Sequence, residues 1–383
     1  MGSTLIRHAG ALLIAGALCA LAALPASAFE TAARHAIVTD ETTGQVLLER
    51  DADSLMAPAS MSKLMTVYMV FERLADGTLS LDDTLPVSEK AWRMGGSKMF
   101  VEVNSRVSVR DLLHGIIVQS GNDACIVVAE GLSGSEEAFA RAMTDRAREL
   151  GLEKSTFRNA TGWPDPDHRM TARELVELAH LLINKFPQYY KIFGETSFTY
   201  SGIKQGNRNP LLYKSIGADG LKTGHTEESG YGLVASATQN GRRVTLVLNG
   251  LDSVKQRSAE SERLIDWAFR NFDNYELFEA GETVEDAAVW LGTAETVPLV
   301  LEEPLVVTLS RDDRRDMTVK VVYDAPVPAP IARGAQVATL VVSAPGIGQI
   351  ERPLLAAADV EQLGLVGRLT SAVKSIIWGS AGL

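Results

Sequence analysis

Apolar and polar positions follow different rhythms along this chain, and each rhythm marks a region. His35 to Asp40 and Gln45 to Glu49 read as two strands, joined through Thr42-Thr43-Gly44 as a hairpin with its turn glycine. Behind Pro58-Ala59-Ser60 the spacing changes: Leu64, Val67, Tyr68, Phe71 and Leu74 recur at helical intervals, which predicts a buried helix with Ser60 at or near its N-terminus. From about Ser88 to Lys185 helical spacing dominates. Ser108, with Asp111 three residues later, opens one helix; Glu136 to Leu150, closed by Gly151, forms another, and Ala172 to Lys185 a third. Strand rhythm returns in Gly220 to Gly224, Tyr231 to Thr238 and Val244 to Gly250, and Ala259 to Phe272 predicts a closing helix. Strands at both ends around a helical insertion describe one α+β domain over 29–272, whose terminal strands share an antiparallel sheet.

Beyond roughly Asp273 the composition shifts to Val, Leu, Thr, Pro and Gly. Short runs at Val306 to Leu309, Thr318 to Tyr323 and Val337 to Val342 predict a small all-β domain over 273–358, with Pro326, Pro328 and Pro330 at an edge or in a loop. In the last segment, 359–383, Leu365, Val366, Leu369, Val373, Ile376 and Ile377 fall on one helical face, opposite Arg368, Thr370, Ser371, Lys374 and Ser375. This predicts an amphipathic helix lying on a membrane surface; the alternative is an ordinary helix packed on the β domain.

At the other end, Arg7, the apolar stretch from Ala11 to Leu24 and Ala26-Ser27-Ala28 predict a secretory signal peptide over 1–28. That stretch is shorter than the roughly 20 residues a membrane span needs. Leu18 precedes Cys19 where a lipidation signal would carry a small residue. The expected location is therefore the periplasm, at the outer face of the cytoplasmic membrane.

Removal of the signal, with its one arginine and no acid, takes the formal charge from −11 to −12, which argues against nucleic acid as a partner. Cys125 is then the one remaining cysteine, so no intramolecular disulfide can form. The fold must rest on core packing, for which about 355 residues are ample. His35, His114, His168, His180 and His225 show no ligand spacing, and neither a metal nor a cofactor is expected.

The candidate chemistry lies in three short elements. A serine hydroxyl is a poor nucleophile at neutral pH and needs a base within reach and donors for the developing oxyanion. In Ser60-Met61-Ser62-Lys63, positions i and i+3 share a helical face, so the Lys63 amine sits beside the Ser60 hydroxyl. The pattern alone is uninformative, since Ser201 to Lys204 and Ser371 to Lys374 match it too, and a serine at a helix start is by default a cap. Ser120-Gly121-Asn122 lies in a short loop between the helical runs Val109 to Val118 and Asp123 to Leu132. Lys222-Thr223-Gly224 ends a strand-like run.

Together and in this order the three match the signature of penicillin-binding proteins and serine β-lactamases. Their surroundings, Ala57-Pro58-Ala59-Ser60-Met61-Ser62-Lys63-Leu64-Met65-Thr66, Gln119-Ser120-Gly121-Asn122-Asp123-Ala124 and Asp219-Gly220-Leu221-Lys222-Thr223-Gly224-His225-Thr226, resemble the D-alanyl-D-alanine carboxypeptidase family of low-molecular-mass penicillin-binding proteins. The resemblance covers nearly the whole mature chain. It implies a β-lactamase/DD-peptidase-like catalytic domain, a β-rich domain and a C-terminal amphipathic anchor, with peptidoglycan stem peptides as substrate and β-lactams as covalent inhibitors.

For the site, the resemblance implies that Ser60 attacks the carbonyl between the two D-alanines while a neutral Lys63 takes its proton, with Lys222 as the cation that depresses the Lys63 pKa. Ser120 would relay the proton to the leaving amine, and Asn122 would hold the acyl-side amide. Substrate would pair with the edge of the Lys222 strand, Gly224 leaving room for it, and Lys222 with Thr223 would meet the terminal carboxylate. Backbone N–H groups of Ser60 and His225 would form the oxyanion hole. Arg257 stands either near the substrate carboxylate or in an ion pair with Glu260. A β-lactamase, a DD-endopeptidase and a catalytically silent wall-binding scaffold are the competing functions; no Glu-x-x-Leu-Asn deacylation element is found.

Overall fold

The structure is a computed structural model and describes residues 29–365 and residue 367. The expected signal peptide, and the expected terminal helix beyond its first few residues, lie outside the described residues. Phe29 and Glu30 belong to a separate unit, while the described residues from Thr31 onward form one compact unit.

The first and last strand groups of the N-terminal region share one antiparallel sheet of five strands. Its order is Val46–Arg50, His35–Asp40, Arg242–Leu251, Gly230–Gln239 and Ala218–Thr226. The three central strands are buried on both faces because helices cover each side: Val254–Asn271 on one, and Ala172–Lys185 on the other. The closing helix starts at Val254, five residues earlier than the apolar spacing suggests. Ser253 caps it by accepting from the Gln256 N–H, and Phe272 already belongs to a strand.

Helix Lys63–Ala75 runs through the middle of the helical insertion, touching Val109–Ile117, Asn122–Ser133, Glu136–Glu149 and Ala172–Lys185. Neighbours on every side explain why ten of its residues are buried, Lys63 among them. Ser108 does cap Val109–Ile117 through the Asp111 N–H. The insertion is not wholly helical, since two short strand pairs, Thr84–Pro86 with Arg106–Ser108 and Ser197–Tyr200 with Ile203–Gly206, flank it.

The C-terminal region has its own apolar core, centred on Leu299, Leu340, Val342 and Leu354. A six-stranded sheet, Thr318–Val322, Gln336–Ala344, Gly348–Ala356, Thr296–Val300, Thr283–Trp290 and Val327–Pro328, packs with the pair Phe272–Phe278 and Leu305–Ser310. Val327–Pro328 is an edge strand, as expected for this proline-rich stretch, although Pro298 and Pro353 lie in interior strands of the same sheet. A five-residue helix, Arg311–Arg315, interrupts the otherwise all-β pattern. A polar joint links this region to the first sheet. Fully buried Asp40 accepts from Arg242 Nε at 2.6 Å and Asn274 Nδ2 at 3.2 Å, and Thr308 bridges Asn274 Oδ1 to the Thr43 hydroxyl.

Candidate active site

The chain reaches Ser60 through a single 3₁₀ turn, Ala59–Ser62, which runs directly into the Lys63–Ala75 helix. Ser60 thus lies one turn ahead of the α-helix rather than inside it. Its side chain does not cap that helix, and neither does that of Ser62, whose hydroxyl turns back to the Ala59 carbonyl at 3.0 Å. Ala59 holds φ +49°, a left-handed conformation that costs a non-glycine residue about 1 kcal/mol. The packing around it must hold that turn.

Lys63 is fully buried, and its amine makes three contacts: Ser60 Oγ at 2.7 Å, Asn122 Oδ1 at 2.8 Å and the Thr161 carbonyl at 2.5 Å. No carboxylate is hydrogen-bonded to Lys63 or Ser60 among the described residues. Burial pushes the Lys63 pKa down to about 8, and the Arg208 charge adds to the fall while Cys125 and Asp123 oppose it. Desolvation leads, and the repulsion between Lys63 and the expected cation Lys222, being mutual, acts in the same direction as Arg208. Lys222 itself is held well below the ordinary lysine range, first by burial and then by the Lys63 charge.

Ser120 and Asn122 stand where the Val109–Ile117 helix hands over to Asn122–Ser133. Ser120 takes φ +65°, and its buried hydroxyl has no hydrogen-bond partner. Asn122 is the first residue of its helix; its amide nitrogen donates to the Gly95 carbonyl at 2.9 Å while its oxygen takes Lys63. No pattern in the sequence marks the role of Asp123 beside it. That buried carboxylate accepts the N–H groups of Met99, Phe100 and Val101, fastening the 95–101 segment over the site.

Lys222, Thr223, Gly224 and His225 all lie on Ala218–Thr226, the free edge of the five-stranded sheet. Alternation along this strand puts Lys222 and Gly224 on one face and Thr223 and His225 on the other. A Cβ at Gly224 would stand 2.9 Å from the Pro58 carbonyl and 3.0 Å from Met61 Cγ. The close approach that this glycine permits is to the Ser60 turn itself, not to open space kept for substrate. The buried Lys222 amine donates to the Thr223 carbonyl at 3.1 Å.

The exposed His225 ring stacks on Tyr231 at 3.9 Å, and the Arg257 guanidinium lies over the same tyrosine at 5.9 Å. Arg257 is buried with an unpartnered Nε, and Glu260 pairs instead with Arg263 and Thr31. The ion-pair alternative for Arg257 is thereby removed. Ser201, one of the other Ser-x-x-Lys serines, sits exposed in the turn of a strand pair, and Ser371 lies outside the described residues.

Arg208 is a further residue that no local pattern marks. Its guanidinium donates to Ser97 Oγ at 2.6 Å, and its charge acts on Lys63, Lys222 and Arg257. None of these four cations makes an ion pair among the described residues, although the whole chain is strongly acidic. Lys63, Lys222 and Arg257 are buried and Arg208 is exposed, and a cationic cluster without its own counter-charge is suited to an anionic group on a ligand.

A serine hydroxyl bonded to a buried, depressed amine beside a free sheet edge is the arrangement of an active-site-serine acyl-transfer enzyme. Comparison with known proteins narrows the class. Residues 22–252 match the family model for D-alanyl-D-alanine carboxypeptidase, and 272–362 that for the penicillin-binding protein 5 C-terminal domain. The D-alanyl-D-alanine carboxypeptidase DacC of Escherichia coli (strain K12) is 37% identical over 345 residues, covering 88% of this chain and 86% of that protein.

Among solved structures, penicillin-binding protein 5 from Haemophilus influenzae superposes with a TM-score of 0.76 at 34% identity, covering 87% of this chain and 98% of that one. The D-alanyl-D-alanine carboxypeptidase DacD from Francisella tularensis gives 0.78 at 30% identity, with 87% and 94% covered. The chain belongs to the D-alanyl-D-alanine carboxypeptidase family of low-molecular-mass penicillin-binding proteins.

Proposed function

We propose that this serine D-Ala-D-Ala carboxypeptidase works through an acyl-enzyme at Ser60, with Lys63 as the base. The observation that carries the assignment is the 2.7 Å contact between the Ser60 hydroxyl and an amine whose pKa burial has brought to about 8. Neutral Lys63 takes the hydroxyl proton as Ser60 Oγ bonds to the carbonyl carbon of the penultimate D-alanine. The tetrahedral oxyanion is met by the backbone N–H groups of Ser60 and His225. The C–N bond then breaks, and the departing D-alanine amine takes a proton passed from Lys63 by way of Ser120. Water hydrolyses the ester, its proton going to Lys63 and then to Ser60, which releases the shortened stem peptide.

Substrate lies along the free edge of Ala218–Thr226 as an added strand. Its acyl-side amide meets Asn122, and its terminal carboxylate meets Lys222, Thr223 and Arg257. The unpaired buried guanidinium of Arg257 supports that last contact, since an arginine Nε left without a partner gains most from a bidentate anion. A β-lactam presents the same carboxylate and an acyl carbonyl, and so acylates Ser60.

Ser60→Ala tests the assignment. Steady release of D-alanine from a pentapeptide by the parent enzyme, with neither release nor covalent labelling by fluorescent penicillin in the variant, is expected. Labelling retained at another residue rejects Ser60, and release only from cross-linked dimers makes the enzyme an endopeptidase.

Export and attachment to the outer face of the cytoplasmic membrane complete the proposal. They are supported by the leader pattern of residues 1–28 and by the apolar and basic faces of the terminal segment. No helix among the described residues is long and apolar enough to cross a membrane. Deleting the residues after Gly364 is expected to move the protein from the membrane fraction to the soluble one; unchanged fractionation would reject the anchor.

A further inference from the structure

The Thr161 carbonyl that holds the Lys63 amine belongs to a tight turn outside the three sequence motifs, and one side chain organises that turn. Asn159 Oδ1 accepts the N–H groups of Thr161 at 3.1 Å, Gly162 at 2.8 Å and Trp163 at 3.0 Å, and also the Thr161 hydroxyl at 3.1 Å. Its amide nitrogen donates to the Trp163 carbonyl at 3.0 Å. One asparagine thus satisfies three successive backbone donors and closes the loop on itself.

The turn is pressed against the Ser60 segment. Gly162 has φ +76°, and a Cβ there would fall 1.9 Å from the Ala59 carbonyl and 2.7 Å from Ser62 Oγ. Two further bonds anchor the residue before Thr161: Thr66 Oγ1 donates to the Ala160 carbonyl at 2.8 Å, and Ala160 N–H donates to Glu136 at 3.2 Å. With both flanks fixed, the direction of the Thr161 carbonyl depends on the crank between them, which is the Asn159 turn.

We propose that Asn159 is a positioning residue for acylation, acting through the Thr161 carbonyl to aim the Lys63 amine at the Ser60 hydroxyl. The inference rests on the reading of Lys63 as base. A base misplaced by 1 Å can lose about a hundredfold in rate even in an otherwise intact site. The amide, rather than a carboxylate, is required by the bond to the Trp163 carbonyl, and a carboxylate so close would favour the charged amine. The ionisable groups coupled to Lys63 are Cys125, Arg208, Asp123, Lys222 and His168, and of these His168 touches the Asn159 segment, accepting the Arg158 N–H at 3.3 Å.

The test compares Asn159→Ala, Asn159→Asp and Lys63→Ala as full chains, with acylation by fluorescent penicillin followed from pH 6 to 9.5 and folding checked by thermal melting. Asn159→Ala is expected to acylate at least tenfold more slowly at pH 7.5, with its pH midpoint displaced by half a unit or more and saturation by penicillin changed less than threefold. Asn159→Asp keeps the acceptor for the three N–H groups, so it should recover most of the rate at high pH, with a midpoint above that of the parent.

Acylation of folded Asn159→Ala within threefold of the parent at an unchanged midpoint would overturn the proposal. So would an Asn159→Asp variant as slow as Asn159→Ala at pH 9.5 while equally folded. Lys63→Ala separates the two layers: normal acylation there rejects Lys63 as base, whatever the Asn159 variants do.

Discussion

Titrating the acylation rate tests the role of Lys63 most directly. If the neutral amine is the reactive form and its pKa is about 8, that form makes up about one part in a hundred at pH 6, one in ten at pH 7 and nine-tenths at pH 9. The second-order rate constant for labelling by fluorescent penicillin should therefore rise roughly tenfold per pH unit up to 7.5 and level off above 8.5. Lys63→Arg keeps a charge that no accessible pH removes, so its rate should be negligible throughout.

The same shift has a sign in stability. Because the folded-state pKa lies below the ordinary 10.5, the unfolded chain binds more protons between pH 8 and 10.5, and stability rises with pH across that window. Below pH 8 the full penalty is present, about 3 kcal/mol for a fully buried group. Lys222 is depressed too and adds a penalty of the same sign. Lys63→Met, similar in volume and uncharged, should thus melt no lower than the parent at pH 7 while losing acylation. A flat rate profile from pH 6 to 9, or normal labelling of Lys63→Arg, would refute the base assignment. A marked fall in melting temperature for Lys63→Met would refute the desolvation argument.

Two other variants probe the neighbouring elements. Gly224→Ala puts a methyl 2.9 Å from the Pro58 carbonyl, which is backbone and cannot turn aside. Overpacking there should cost about 1–3 kcal/mol in denaturant melts and slow labelling of Ser60, whereas unchanged melts and labelling would show that the strand and the Ser60 turn are not in close contact. Arg257→Gln removes a buried guanidinium; loss of a charge-assisted bond of about 1.5–3 kcal/mol should lower kcat/KM for a D-Ala-D-Ala peptide roughly ten- to a hundredfold. The same peptide with a terminal carboxamide should be nearly insensitive to the change, and equal losses for both peptides would remove Arg257 from carboxylate recognition.

Local patterning in the sequence determined which segments form which elements, and chemical composition at three points determined the reaction. Ser60 with Lys63 follows from helical spacing, and the strands around Val234 and Val247 follow from apolar runs that only a two-sided core explains. The closing helix began early because a cap at Ser253 outweighs the polar Lys255 and Gln256 that blur its periodicity.

What only the tertiary structure decided are contacts between residues far apart in the chain. Arg208 reaches the cleft 111 residues from its partner Ser97, and Thr161 lies 98 residues from the lysine that it holds. Asp123 is one residue beyond a recognised motif, yet its function as a clamp on 99–101 depends on burial. Burial, more than any neighbouring charge, also sets the pKa of Lys63, and burial is a property of the whole packed domain rather than of spacing along the chain. Ser60 was legible in the sequence as a serine beside an amine; that the amine is dry, held by a distant carbonyl and able to lose its proton near neutral pH is a consequence of the fold.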